Sequence, residues 1–226
     1  DGKPAGVVAL EPKSGKPLWQ SVKDEAGYAS PVAVGEDRLL CWMRNEVWLL
    51  NAADGGIVSH RPLRAGMEAS VNAAQPVLLD GDRVAISAGY GVGLHVLRLP
   101  DLEPLWSQQN LLDCHYSSPV REGERLFGFD GRQETGQTLR CIDLAKREVV
   151  WESGRVPGGM LIRAGGYLLV VTEQGELWVV PTKAAQFDPA HTVQILRSGH
   201  RAHLAFAGGV LFARDGHQLV AVRVFE

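Results

Sequence analysis

No apolar stretch among the 226 residues approaches the roughly 18 that a membrane-spanning helix requires. No basic segment followed by an apolar run marks a signal peptide at the N-terminus. Long blocks of one charge are missing as well: 23 Lys and Arg face 26 Asp and Glu, a formal net charge of −3. That near balance excludes the basic footprint of a nucleic-acid binder or of a protein held to an anionic lipid surface. Cysteine is scarce. Cys41, Cys114 and Cys141 cannot all pair within one chain, and none is adjacent to another or spaced as CxxC. A disulfide framework and a zinc knuckle are thereby excluded, and each thiol is expected as a small buried hydrophobe. Helical signals are lacking too, since no run of about twelve residues keeps a 3.6-residue period together with caps.

What the chain does have is the composition of a globular protein, 45% apolar and 22% charged, and 26 glycines. The glycines punctuate a repeat. SPVAVGEDRLL (30–40) returns as QPVLLDGDRVA (75–85) and SPVREGERLFG (118–128), and more weakly as IRAGGYLLV (162–170) and LAFAGGVLF (204–212). The turn glycines Gly35, Gly81, Gly123, Gly165 and Gly208 step by 46, 42, 42 and 43 residues. A second motif recurs out of phase with the first: VVALEPKSGKPLW (7–19), VWLLNAADGGIVSH (47–60), LHVLRLPDLEPLW (94–106) and LRCIDLAKREVVW (139–151). Trp19, Trp106 and Trp151 close three of these copies, and His60 stands in at the other.

Within each copy, β-branched and Leu-rich runs alternate with Gly, Asp and Asn turn signals about every ten residues, which is strand spacing. In the second copy the strands are expected at SPVAV, RLLCWM, EVWLLNA and GIVSHRP. Four strands per unit of about 43 residues is the pattern of a β-propeller, in which each unit is one blade. A blade has two apolar faces and buries them only by stacking on its neighbours. The fold class is therefore all-β: four-stranded antiparallel blades over 22–66, 67–112, 113–157 and 158–199, with partial units at 6–21 and 200–226. Trp106 and Trp151 are expected buried between blades. The chain opens at Asp1, inside a repeat, and both end units contain a third-strand motif, VVALE and LVAVR. The expectation is one propeller domain over 1–226, or the C-terminal part of one whose N-terminal blades are missing.

The segment ALEPKSGKPLW (9–19) resembles the repeat of the pyrroloquinoline-quinone-like propellers. HYSSPVREGERLFGFD (115–130), TLRCIDLAKREVVWE (138–152) and GGYLLVVTEQGELWVV (165–180) resemble a large bacterial group in that superfamily, the PQQ-binding-like β-propeller repeat proteins, related to the outer-membrane assembly lipoprotein B. The resemblance runs over essentially the whole chain. It implies a propeller fold, export to the periplasm and protein partners. The quinone dehydrogenases of the same superfamily carry adjacent cysteines, a Glu/Asn/Asp calcium site and a catalytic Asp; this chain has no adjacent cysteines. No cofactor is therefore expected, and the rival reading is a quinone-dependent alcohol or sugar dehydrogenase whose missing N-terminal blades complete the site.

Other constellations carry bland readings. His191, His200, His203 and His217 lack a carboxylate to orient them, so solvated loop histidines are expected rather than a metal site. GYGVG (89–93) is followed by the alternating LHVLRL and not by a helix, which makes it a hairpin rather than a phosphate cradle. There is no G-x-S-x-G. The acidic pairs Glu36/Asp37, Asp80/Asp82 and Glu122/Glu124 recur at the same point in three copies and mark turns, whereas a catalytic dyad occurs once in a fold. No catalytic, cofactor or metal residue is assigned. The candidates that remain stand just before each innermost strand, where propeller loops ring the channel mouth: Tyr28, Asn72, His115, Tyr116, His200 and Arg201. Aromatic, imidazole and guanidinium groups there suit a polar ligand or a peptide. The expected function is a non-catalytic scaffold for protein interaction or ligand binding.

Overall fold

The computed structural model describes residues 6–68 and 71–225, so the Asp1 terminus lies outside the described residues. The chain divides into two compact units, Asp1–Asn110 and Leu111–Glu226. The first contains a two-stranded sheet, β1 (Val7–Leu10) and β2 (Pro17–Ser21), and two four-stranded sheets. These are β3 (Val32–Val34), β4 (Arg38–Trp42), β5 (Glu46–Asn51) and β6 (Ile57–Pro62), then β7 (Val77–Leu79), β8 (Arg83–Ala88), β9 (Gly93–Arg98) and β10 (Glu103–Gln108).

The second unit begins with β11 (Val120–Glu122), β12 (Arg125–Asp130), β13 (Thr138–Asp143) and β14 (Glu148–Glu152). Its next four-stranded sheet is β15 (Gly159–Ala164), β16 (Tyr167–Thr172), β17 (Glu176–Pro181) and β18 (His191–Gln194). A three-stranded sheet follows: β19 (Ala205–Ala207), β20 (Val210–Arg214) and β21 (Leu219–Arg223). Among the described residues the only helical element is a 3-10 turn at Gln133–Thr135. Each sheet is an antiparallel meander of consecutive strands, the blade that the repeat predicts.

The aligned turn glycines have one conformation. Gly35, Gly81, Gly123, Gly165 and Gly208 all adopt φ between +55° and +68° in the first hairpin of their sheets, where an L side chain would be strained. Burial explains the strand compositions. The second strands, such as β8 (RVAISA), are covered on both faces and read as continuous apolar runs, whereas the outer strand β6 alternates half-buried with exposed residues. In the first unit, Leu40, Trp42, Val47 and Leu49 pack with Val84, Ile86, Leu97 and Leu99 of the following sheet. In the second, Phe127, Phe129, Cys141 and Trp151 pack with Leu168, Val170, Trp178 and Val180.

The third and fourth strands share a β-bulge. The register shifts at Ala9/Leu10, Leu49/Leu50, Pro104/Trp106 and Cys141/Ile142, and the extra residue turns the next side chain towards the neighbouring sheet. Trp19, Trp106 and Trp151 occupy that turned position, opposite Ala9, Val96 and Cys141. In the second copy it is Ser59, opposite Leu49, that occupies it, not His60. His60 falls one residue later, on the other face, and stacks on Trp48 at 4.7 Å. In the other three copies the tryptophan stands twelve residues after the first residue of the motif, and the same count from Val47 lands on Ser59; His60 is one residue too far. Trp151 is buried as expected, while Trp106 is only half-buried, although both stand on the outermost strand of their sheets.

The turned residues dock forward. Trp19 Nε1 donates to the Ala52 carbonyl at 3.1 Å, Trp151 Nε1 to that of Ala184 at 3.2 Å, and Ser59 Oγ to that of Pro100. Each acceptor lies in the hairpin after the third strand of the next sheet.

Candidate functional site

In the first unit, the loops before β3 and β7 are tied by a single amide. The Asn72 carbonyl accepts from the Tyr28 and Ala29 amides at 2.9 and 3.0 Å. Its buried side-chain Nδ2 donates to the carbonyls of Met43 and Arg44 at 2.8 and 3.0 Å. Asn72 is thus a strut between three loops, while Tyr28 reaches outward with 75% of its surface exposed. Asp24 does the same work with a carboxylate, accepting from Asn45 Nδ2 at 2.5 Å, the Glu46 amide at 2.9 Å and Trp48 Nε1 at 3.1 Å.

The second unit holds the other four candidates. His115 is buried and its ring lies 4.0 Å from that of Tyr116, which is 46% exposed. Burial pushes the His115 imidazole below its ordinary pKa; Glu134 opposes that shift and Arg132 adds to it. Arg132 and Glu134 pair at 3.4 Å.

Beside them stands Glu173, which gathers three loops. Its carboxylate accepts from Gln133 Nε2 and lies 3.4 Å from Arg201 Nε. Its amide donates to the Gly158 carbonyl, and its own carbonyl accepts from the Gly199 amide at 2.7 Å. Burial raises the Glu173 carboxyl above the usual carboxylate range, against the pull of Arg201 and the Gln133 hydrogen bond. Arg201 itself reaches into solvent, its side chain 66% exposed.

His200 overturns the expectation of a solvated loop histidine. It is fully buried, and its Nδ1 lies 2.7 Å from the Arg214 carbonyl, so Nδ1 carries the proton. Its Nε2 is buried with no hydrogen-bond partner among the described residues. Burial holds the imidazole below its ordinary pKa, although the bond to Arg214 opposes this. The loop is folded over His200 by Asp215, which accepts from the amides of His217 (2.7 Å), Gln218 (2.8 Å) and Arg197 (3.2 Å). By contrast His191 and His203 are exposed, as is His217.

Sequence reasoning missed Asp24, Gln133, Glu173 and Asp215, the groups that hold the candidates in place. Three of them stand between the second and third strands of successive sheets, a position that a search confined to the loops before the first strand passes over.

Neither Cys41 nor Cys141 is an activated nucleophile. Burial pushes the Cys41 thiol up to about 11 and the Cys141 thiol up to about 12, far from a thiolate at neutral pH. No three His, Cys, Asp or Glu side chains among the described residues are grouped to hold a metal ion. The donors present do not fit the quinone and calcium of the related dehydrogenases: the three cysteines are buried and none is adjacent to another, and the grouped carboxylates that calcium needs are not among the described residues.

A family model described as "Outer membrane protein assembly factor BamB" matches residues 4–128. The solved structure of BamB from Moraxella catarrhalis superposes with a TM-score of 0.74 at 16% identity, covering 96% of this chain and 66% of that one. The computationally designed Ika8 protein superposes with a TM-score of 0.62 at 12% identity, covering 89% of this chain and 60% of that one. The chain therefore spans about two thirds of the length of these structures or less. No protein of curated function matches the sequence. At these identities the structural likeness shows the fold, which is that of a β-propeller.

Proposed function

Since this chain belongs to the family of the outer membrane protein assembly factor BamB, we propose that it is a non-catalytic β-propeller scaffold that binds a protein or peptide partner during outer-membrane protein assembly. Its compartment on this reading is the periplasm. The domain organisation belongs to the same proposal: one propeller, or part of one, with blades over 22–66, 67–112, 113–157 and 158–199.

The observation that carries the reading is a division of labour in the loops before the first strands. Asn72, His115 and His200 are buried there, and Glu173, between β16 and β17, ties neighbouring loops, while Tyr28, Tyr116 and Arg201 reach outward. Tyrosine and arginine on a rigid support are the side chains that most often dominate protein interfaces, because little rotamer entropy is lost when they are covered.

The test is a photoreactive amino acid placed at position 28 or 116 of the full protein in the bacterial envelope. Adducts with proteins of outer-membrane assembly are expected, and Arg201→Glu should weaken those formed from position 116. Absence of such adducts, together with dye reduction by the protein when given pyrroloquinoline quinone, calcium and an alcohol or aldose, would overturn the reading in favour of a dehydrogenase.

A further inference from the structure

The third strand of each four-stranded sheet carries, at its third residue, Trp48, His95, Arg140 or Trp178. Three of the four are fully accommodated. Trp178 is buried against Phe187 at 5.4 Å, in the cluster that includes Trp151. Arg140 is neutralised by Asp130 at 2.9 Å and Glu152 at 3.0 Å. Trp48 is covered by the His60 ring and donates to Asp24.

His95 is different. It pairs across the sheet with Ile86, and Arg61 on β6 pairs with Val47; Ile86 and Val47 belong to one core cluster. Paired residues share a sheet face, so Arg61 and His95 face one another across the gap between their sheets. Beside His95 opens a cleft of about 230 Å³, whose polar wall is Arg64, His95, Ser107, Gln108 and Gln109; Arg61 bears on His95 through its charge and is not part of that wall. No Asp or Glu lines it. Arg64 is braced by Asn45 Oδ1 at 2.6 Å and meets only the exposed Glu68, at 3.7 Å. Among the described residues no carboxylate pairs with the half-buried Arg61.

We propose that this cleft binds a small oxyanion, a phosphate or a carboxylate, between Arg64 and His95, with Ser107 on its wall and the charge of Arg61 close by. The guanidinium fork matches either anion, and the pair is strengthened by partial removal from water. At about 30 Å³ per water molecule, the cleft has room for an oxyanion with a short organic stem. His95 Nε2 lies 3.0 Å from the Val92 carbonyl and must donate to it, which leaves Nδ1 free to take up a proton. Burial, with the nearby Arg61 adding to it, pushes the His95 imidazole below its ordinary pKa, against the hydrogen bond to Val92. An anion offsets Arg61 and accepts from Nδ1–H, so binding is coupled to proton uptake at His95.

The experiment follows the His95 imidazole by NMR across a pH titration of the intact protein, with inorganic phosphate, acetate or chloride at equal ionic strength. Phosphate or acetate is expected to raise the His95 pKa, and chloride to leave it in place. Arg64→Gln should weaken the response roughly tenfold or more in ligand concentration, the effect of removing a charged hydrogen-bonding partner; Arg64→Lys should retain part of it. An unchanged His95 pKa with both oxyanions, an equal response to chloride, or a response that survives intact in a folded Arg64→Gln protein would each overturn the proposal.

Discussion

The gap between β3–β6 and β7–β10 in the first unit and the gap between β11–β14 and β15–β18 in the second are built on the same register, yet only one is sealed. In the second, Trp151 at the bulge-turned position and Trp178 on the facing third strand close over Phe187. In the first, Ser59 and His95 stand at those two positions, and Arg61 enters from the side. Backbone pairing hardly distinguishes the two gaps; side-chain volume does. A propeller scaffold tolerates an unfilled gap because the apolar rows deeper in the sheets, Leu40 to Leu102 in the first unit, already hold them together. The outer part of a gap is thereby free to become polar, which is how a site arises in a repeat without changing its fold.

Breaking the sealed gap should have the largest effect. Trp178→Ala removes an indole that is 7% exposed, and a loss of about 3–5 kcal/mol is expected from urea denaturation. Next is Gly55→Ala. Gly55 has φ +72°, and a Cβ there would lie 2.5 Å from Trp19 Cε3, so the first unit's docking indole would be displaced; a cost of about 1–3 kcal/mol is expected. Ser59→Ala tests whether the small docking residue matters: losing its hydrogen bond to Pro100 should cost about 1 kcal/mol, against several for Trp151→Ala at the matching position.

The smallest expected effect is a change of slope with pH. Burial depresses the folded-state pKa of His95, His115 and His200 below the unfolded value near 6.5. As pH falls through that value the unfolded chain binds more protons than the folded one, so the stability present at higher pH is lost. Glu173, raised by burial, has the opposite sign: its contribution is present in acid and lost as pH rises above the usual carboxylate range. His95→Gln should therefore flatten the stability profile around and below pH 6.5 by one of three shares, measured by melting temperature against pH. An unaltered profile would mean that His95 is solvated like His217, and that the two gaps differ less than their lining implies.

The repeat made the sheets legible because turn glycines and strand alternation are local properties. Gly35 to Gly208 needed no tertiary information, and neither did the meander order of the strands. Ser59 was legible too, since it stands twelve residues after Val47 as the tryptophans stand after Val7, Leu94 and Leu139, but the ring of His60 one residue later drew the alignment past it. The candidate site was legible in part. Tyr28, Tyr116 and Arg201 were found from their place before a first strand, but the inward turn of Asn72 and His200 depends on carbonyls contributed by other loops, Met43, Arg44 and Arg214. Glu173 was missed because its role comes from three loops meeting, which no single segment encodes.

The forward docking bonds give the fold a direction in time as well as in space. Trp19, Ser59 and Trp151 donate to acceptors 33, 41 and 33 residues further along the chain, in the following sheet. During synthesis each sheet emerges from the ribosome with its donor unsatisfied, and the next sheet supplies the acceptor one repeat later. Docking can then proceed in the order of translation, one short-range step at a time, without the large loop-closure entropy that slows distant β pairing. A nascent chain stalled before Ala184 would present Trp151 to whatever binds unfolded polypeptide, and releasing the stall by about one hairpin would withdraw it.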